Sequence, residues 1–133
     1  MLIYFIIYKY NNNMEFSYKK NKSFNDRKNE CDKLLKQYKD KIPIICEKDP
    51  ICKLEPMDKT KFLVDEKFRV QNLINIIRKN MKLLNSDALF IFFGDKKPKI
   101  ATGDKYIRDV YENFKDSDGF LYVIYASQQI WGK

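Results

Sequence analysis

Catalysis and metal binding need side chains that can move a proton or hold an ion, and here that set is short. The 133 residues contain no histidine. The commonest general base and the commonest metal ligand are therefore missing, and no Cys–His or Ser–His pair can form. Three cysteines remain, Cys31, Cys46 and Cys52. Their odd number and the lack of a C-x-x-C spacing argue against a disulfide framework and against a zinc site. They are expected to be reduced and structural, with Cys52, in a loop, the most exposed. There is no glycine-rich phosphate loop and no metal-ligand spacing. No enzymatic activity, metal ion or cofactor is expected.

Charge is the other chemical resource. Lysine and arginine number 26 against 18 aspartate and glutamate, a formal net charge of +8. A basic balance favours acidic partners, whether nucleic acid, anionic lipid or acidic peptide, without choosing among them. Lys19, Lys20, Lys22, Lys28, Lys33 and Lys36 are expected to form a solvated helix face, with weak contact to anionic lipid or acidic protein tails as the functional alternative. Neither an aromatic-interleaved RNA motif nor a helix-turn-helix is visible, so nucleic acid is not an expected partner.

One modest domain must position these groups. The length suits a single core. Glycine and proline number only four each, so most of the chain should lie in regular elements. The apolar run Met1–Tyr10 is too short to span a bilayer. It also lacks the basic start and small-residue cleavage site of a signal peptide. Residues 1–13 are expected to be a non-structural extension ahead of Met14, and residues 14–133 one domain.

Phe24, Cys31, Leu34, Leu35 and Tyr38 recur at helical offsets, with Ser23 as N-cap and Asp26 in the first turn. A shorter helix is expected around Met14 to Lys20. Ile42–Lys48 reads as a strand, with Pro43 near its start or on an edge because it lacks an N–H. Residues 49–58 suit a loop, and Lys61–Val64 a second strand. Val70, Leu73, Ile74, Ile77 and Met81 keep a 3.6 period, ending in Arg78 and Lys79 where cations suit the helix dipole. The continuous apolar run Ala88–Phe93 predicts a central strand buried on both faces. Residues 94–102 suit a loop, Tyr106, Ile107, Val110, Tyr111 and Phe114 a short helix, Asp118-Gly119 a turn, and Phe120–Tyr125 the last strand. This order describes an α+β chain of the β-grasp (ubiquitin-like) type, a four-stranded mixed sheet with two extra N-terminal helices. The first and last strands should lie side by side in its middle. A fold alone does not decide function.

Several segments resemble a single family. They are Phe24-x-x-Arg27-x-x-Glu30, Tyr38-x-Asp40-x-Ile42-Pro43-x-Ile45-x-Glu47-Lys48, Asp58-Lys59-x-Lys61-Phe62-Leu63-Val64, Ile77-Arg78-Lys79, Asp87-Ala88-Leu89-Phe90-Ile91-Phe92 and Asp118-Gly119-Phe120-Leu121-Tyr122-Val123-x-Tyr125. In this order they are similar to the lipid-conjugated ubiquitin-like modifiers of autophagy, the light-chain-three and GABA-receptor-associated protein family. The resemblance spans Met14 to Lys133.

The resemblance implies a chemistry for Gly132. A free glycine carboxylate can be adenylated and carried as a thioester, and an internal peptide bond cannot. An autophagy cysteine protease would remove Lys133. Activating and conjugating enzymes would then join Gly132 to phosphatidylethanolamine, moving a cytoplasmic protein onto autophagosome or other organelle membranes. The family also binds receptors bearing aromatic-x-x-aliphatic motifs by adding a strand to the sheet edge at Lys61–Val64. By matching positions, the aromatic pocket would use Glu30, Leu34, Pro43, Ile45, Lys61, Leu63 and Phe120. The aliphatic pocket would use Phe62, Val64, Phe68, Leu73 and Ile76, with Lys59 and Lys61 attracting acidic residues of the motif. Phe62 and Leu63 are expected to be removable together without harm to the fold. The chain departs from the family at Asp65, where proline is usual, at Gln71-Asn72 and Asn80, and in a longer segment from Lys96 to Tyr106. Trp131 before Gly132 is more typical of the sister modifier that is joined to protein. An unconjugated ubiquitin-like interaction module is the remaining alternative.

Overall fold

In the computed structural model, residues 15–50, 52, 54–81, 83 and 87–127 are described. The extension expected over residues 1–13, and Trp131, Gly132 and Lys133, lie outside them. The first long helix starts as its sequence requires. The Ser23 hydroxyl accepts the Asp26 N–H at 3.2 Å, satisfying one of the free amides at the helix start. The elements are α1 (Ser17–Asn21), α2 (Phe24–Gln37), β1 (Lys41–Lys48), β2 (Lys61–Asp65), α3 (Val70–Met81), β3 (Leu89–Phe93), α4 (Ile107–Phe114) and β4 (Leu121–Ser127).

The sheet order is β2-β1-β4-β3. β1 runs parallel to β4 and antiparallel to β2, and β3 runs antiparallel to β4. The first and last strands therefore form the middle of the sheet. Its two faces carry separate cores. Ile42, Ile44, Phe62, Val64, Ile91, Phe93, Leu121 and Val123 pack with Val70, Leu73 and Ile77 of α3 and with Ile107 and Val110 of α4. Ile45, Phe92, Tyr122 and Ile124 point the other way, joined by Phe16, Phe120 and Cys31, with Tyr18, Leu34 and Leu35 packed against them.

Two sequence expectations are corrected here. β3 is an edge strand, not a central one: among the described residues its only ladder partner is β4. A continuous apolar run reports that both faces are covered, as they are for Ile91, Phe92 and Phe93, and carries no information about lateral neighbours. The outer edge of β3 is capped at its end, where Phe93 and Lys99 exchange two backbone hydrogen bonds of 2.7 and 2.8 Å. Cys52 is also not exposed; only 2% of its surface reaches solvent. Its loop folds back on β4: the Asp49 N–H donates to the Tyr125 carbonyl at 2.9 Å, and the Met57 N–H to the Tyr125 hydroxyl at 3.1 Å. All three cysteines are free and buried.

Pro43 sits inside a central strand without breaking it. Cys46 donates to the Thr60 carbonyl, so even-numbered residues of β1 direct their amides at β2. Pro43 faces β4 instead, and the β4 ladder begins one residue later, at Ile44 opposite Leu121. Its missing N–H costs neither ladder a bond.

Candidate functional site: an open sheet edge between two apolar faces

β2 is the exposed edge anticipated for Lys61–Val64, extended by Asp65. It pairs with β1 alone among the described residues. In the register Pro43↔Leu63, Leu63 occupies a non-hydrogen-bonded position, so its N–H and carbonyl point away from β1. The same alternation turns the amides of Lys61 and Asp65 outward. An extended peptide laid alongside would find these groups available.

The side chains of β2 alternate between the two cores. Phe62 and Val64 enter the α3 side. Lys61, Leu63 and Asp65 stand on the α1–α2 side and are half-buried. Leu34, Ile45 and Phe120 belong to one cluster on that side, and Pro43 is buried beside them in the strand. Phe62, Val64, Leu73 and Ile76 belong to the other cluster, with Phe68 exposed at its border. Thus the residues matched to each pocket are brought together, one set on each side of the edge. They differ in depth. Ile45, Leu73 and Phe120 have no exposed surface, so they support the faces from beneath. Leu34, Leu63 and Ile76 are half-buried, and Lys59 is exposed with its ammonium 5.1 Å from the centre of the Phe62 ring.

Phe62 corrects a further expectation. It is 6% exposed and packed in the core, so its removal is not neutral for the fold. Leu63 alone of the pair is a surface residue. Asp65 likewise lies on the face away from Phe62 and Val64, and its carboxylate accepts the Lys67 N–H at 2.8 Å within the turn that follows β2.

The rim of the α1–α2 side is held by charge. Glu30 accepts from Lys22 at 2.9 Å and also from Lys61 and the Tyr18 hydroxyl. Burial, followed by repulsion from Lys22, lowers the pKa of Lys61. Burial pushes the Tyr18 hydroxyl up to about 12, so it stays a donor.

Sequence reasoning missed what locks α1 and α2 onto the sheet. Lys19 bridges Asp95 and Asp116, each at 2.7 Å. Asp118, fully buried, accepts Arg27 Nε at 2.8 Å, the Tyr122 hydroxyl at 2.5 Å and the Phe120 N–H at 2.9 Å. Of the six lysines read as a solvated face, Lys19, Lys22 and Lys28 are engaged in ion pairs, Lys28 with Asp32 one helical turn on at 3.5 Å. The available signal was Arg27 on the same helical stripe as Cys31 and Leu34, since an arginine there needs a buried acid.

A β-grasp sheet with two helices laid over its free face defines a class: a ubiquitin-like protein with an N-terminal helical pair. The family model for "Autophagy protein Atg8 ubiquitin like" matches residues 26–132. Autophagy-related protein 8 of Mycosarcoma maydis is 37% identical over 120 residues, covering 90% of this chain and 99% of that relative. The protein of the same name from Candida albicans is 36% identical over 120 residues, covering 90% and 87%. The crystal structure of Trypanosoma brucei ATG8 superposes with a TM-score of 0.80 at 30% identity, covering 86% of this chain and 97% of that one. This chain belongs to the Atg8 ubiquitin-like family of autophagy proteins. It is a ubiquitin-like modifier of autophagy.

Proposed function

We propose that this modifier is conjugated to phosphatidylethanolamine through Gly132 and recruits receptors bearing aromatic-x-x-aliphatic motifs along β2. The observation that carries the recruitment reading is the open β2 edge lying between an α2-side and an α3-side apolar face. The motif's aromatic residue would rest over Leu34, Ile45, Leu63 and Phe120, and its aliphatic residue over Phe62, Val64, Leu73 and Ile76. The conjugation reading rests on family membership and on the pair Gly132-Lys133. A cysteine protease hydrolyses the Gly132–Lys133 bond, and the freed carboxylate is adenylated and transferred to an enzyme thiol. The lipid's amine then displaces that thiol, forming an amide. The two acyl chains so gained suit stable anchoring, which one chain does not provide. The protein would then pass from the cytoplasm to autophagosome or other organelle membranes.

Trp131 favours a second reading, attachment to a protein. Gel shift combined with membrane flotation separates the two. A flotation-competent adduct lost in Gly132→Ala supports lipid, and a discrete covalent protein adduct overturns it. For recruitment, Leu63→Pro removes one outward N–H and leaves the β1 ladder unaltered. Binding of a Trp-x-x-Leu peptide should fall at least about tenfold, as a strand-addition contact and a half-buried side chain are both lost. An unchanged dissociation constant would rule out strand addition at this edge.

A further inference from the structure

The end of β2 opens into a depression that the two pockets do not use. Glu66, Lys67, Arg69, Tyr106, Arg108 and Asp109 line it. It is built by pairing two segments: Arg69 bridges to Tyr106, the Ile107 N–H donates to the Phe68 carbonyl at 2.8 Å, and the Val70 N–H to the Lys105 carbonyl at 2.9 Å. At its centre Arg69 is held in place. Its guanidinium lies 4.2 Å from the centre of the exposed Tyr106 ring, Nη1 donates to the Asp104 carbonyl at 2.6 Å, and Nη2 to the Tyr106 hydroxyl at 2.8 Å.

The charges there are unevenly matched. Glu66 is taken by Arg108, which donates to it from Nε at 3.0 Å and from Nη2 at 2.5 Å. Both hydrogen-bond partners of Arg69 are neutral, a carbonyl and a hydroxyl, and the exposed Asp104 carboxylate, which bonds to the Thr102 hydroxyl, acts on Arg69 only through space. A guanidinium carries about five N–H donors in a planar fork, and two are used here, so a carboxylate could still be gripped by the remainder. Lys67 and Lys105 are exposed and form no ion pair among the described residues, while Asp109 is the lining carboxylate left without one. With Arg69 already immobilised, little side-chain entropy remains to be lost on binding.

The depression is also in line with the docking edge. An aromatic residue near Lys61 followed by an aliphatic residue near Val64 and Phe68 sets a peptide parallel to β2. The next residues of that peptide then pass Phe68, between Lys67 and Arg69. We propose that the Arg69–Tyr106 clamp is a subsite for an acidic side chain lying after the aliphatic residue of a docked motif. This rests on the recruitment reading above and adds to it a class of partner, motifs with an acidic extension on the C-terminal side.

The test uses the whole chain and a set of synthetic peptides. One carries only the motif with a neutral extension, and the others place a single glutamate in turn at each following position. Fluorescence anisotropy should show one or two positions at which glutamate tightens binding by about threefold to tenfold, the range of a partly exposed charge-assisted contact. That gain should shrink as salt is raised. Arg69→Ala should erase the gain and leave the neutral peptide's affinity unchanged, which also shows that the variant is folded. Arg69→Lys, keeping the charge without the fork, should recover only part of it. If the neutral peptide binds and no glutamate position helps, or the gain survives in Arg69→Ala, the subsite is refuted while the docking edge stands. If the neutral peptide itself does not bind, the recruitment reading fails and the subsite falls with it.

Discussion

At Gly119 two constraints on the side chain meet. Its φ is +97°, a conformation that side chains other than glycine's rarely adopt. A Cβ there would also lie 2.8 Å from Cys31 Sγ. Cys31 has no room to retreat, being fully buried, and burial pushes its thiol up to about 12, so it remains an uncharged packing group. Gly119→Ala should therefore cost roughly 1–3 kcal/mol of stability, seen as a lower urea midpoint. Adding Cys31→Ala should restore the part due to the clash and leave the part due to the backbone angle. Full additivity of the two losses would mean that the contact does not matter. The turn itself was readable as Asp118-Gly119. Its partner, from a helix far away in the chain, was not.

At the scale of elements, α1 is too short to be stable by itself and depends on what it touches. Phe16, just ahead of it, packs edge-on against Tyr122 with ring centres 4.9 Å apart. Lys19 then ties it to Asp95 and Asp116. For Asp116 burial alone would raise the pKa, but the hydrogen bond from Lys19 prevails and holds it below its ordinary 3.8. Such a carboxylate stabilises the fold above its unfolded pKa, and the contribution fades as pH falls through the depressed folded value. For Lys19 burial alone would lower the pKa, but the bonds to Asp116 and Asp95 prevail and hold it above 10.5. Its contribution is complete below that value and is lost as pH rises through the folded pKa. Docking of α1 should accordingly be steady through neutral pH and weaken at both extremes. Limited proteolysis of the α1 segment against pH reads this directly. In Lys19→Ala the alkaline limb should vanish and α1 should be cut faster at neutral pH; a retained alkaline limb would assign it to another group.

Across the whole molecule, β4 runs in the middle of the sheet, and β2 lies at its margin with β1 between. Along β2, alternate side chains close the α3-side core while the backbone of its outer side stays open. Phe62→Ala should lower stability by about 3–5 kcal/mol, the usual range for emptying a buried aromatic site. Leu63→Ala, on the half-buried face, should cost far less. Chemical denaturation of the two variants side by side checks this, and equal losses would contradict the assignment of Phe62 to the core.

Local pattern was enough to place the elements. α3 matches its expected span of Val70–Met81 because five apolar residues at helical spacing leave one reading, and α2 begins where Ser23 can cap it. The order of helices and strands followed, and with it the β-grasp, since few arrangements accommodate that order. The residues assigned around β2 came from matching positions to the resembled family, since in the run Lys61 to Val64 only Lys61 is polar and alternation marks no face. Spacing along a chain carries no record of lateral neighbours, however. It could not show that Ala88–Phe93 ends in an edge strand, that Cys52 turns inward against β4, or that Phe62 is core while Leu63 is surface. Nor could it pair Arg27 with Asp118, which are 91 positions apart, or seat Arg69 on Tyr106. Periodicity reports which side of an element is dry. Which partner makes it dry, and which polar groups are thereby forced to meet, is decided only when the sheet closes.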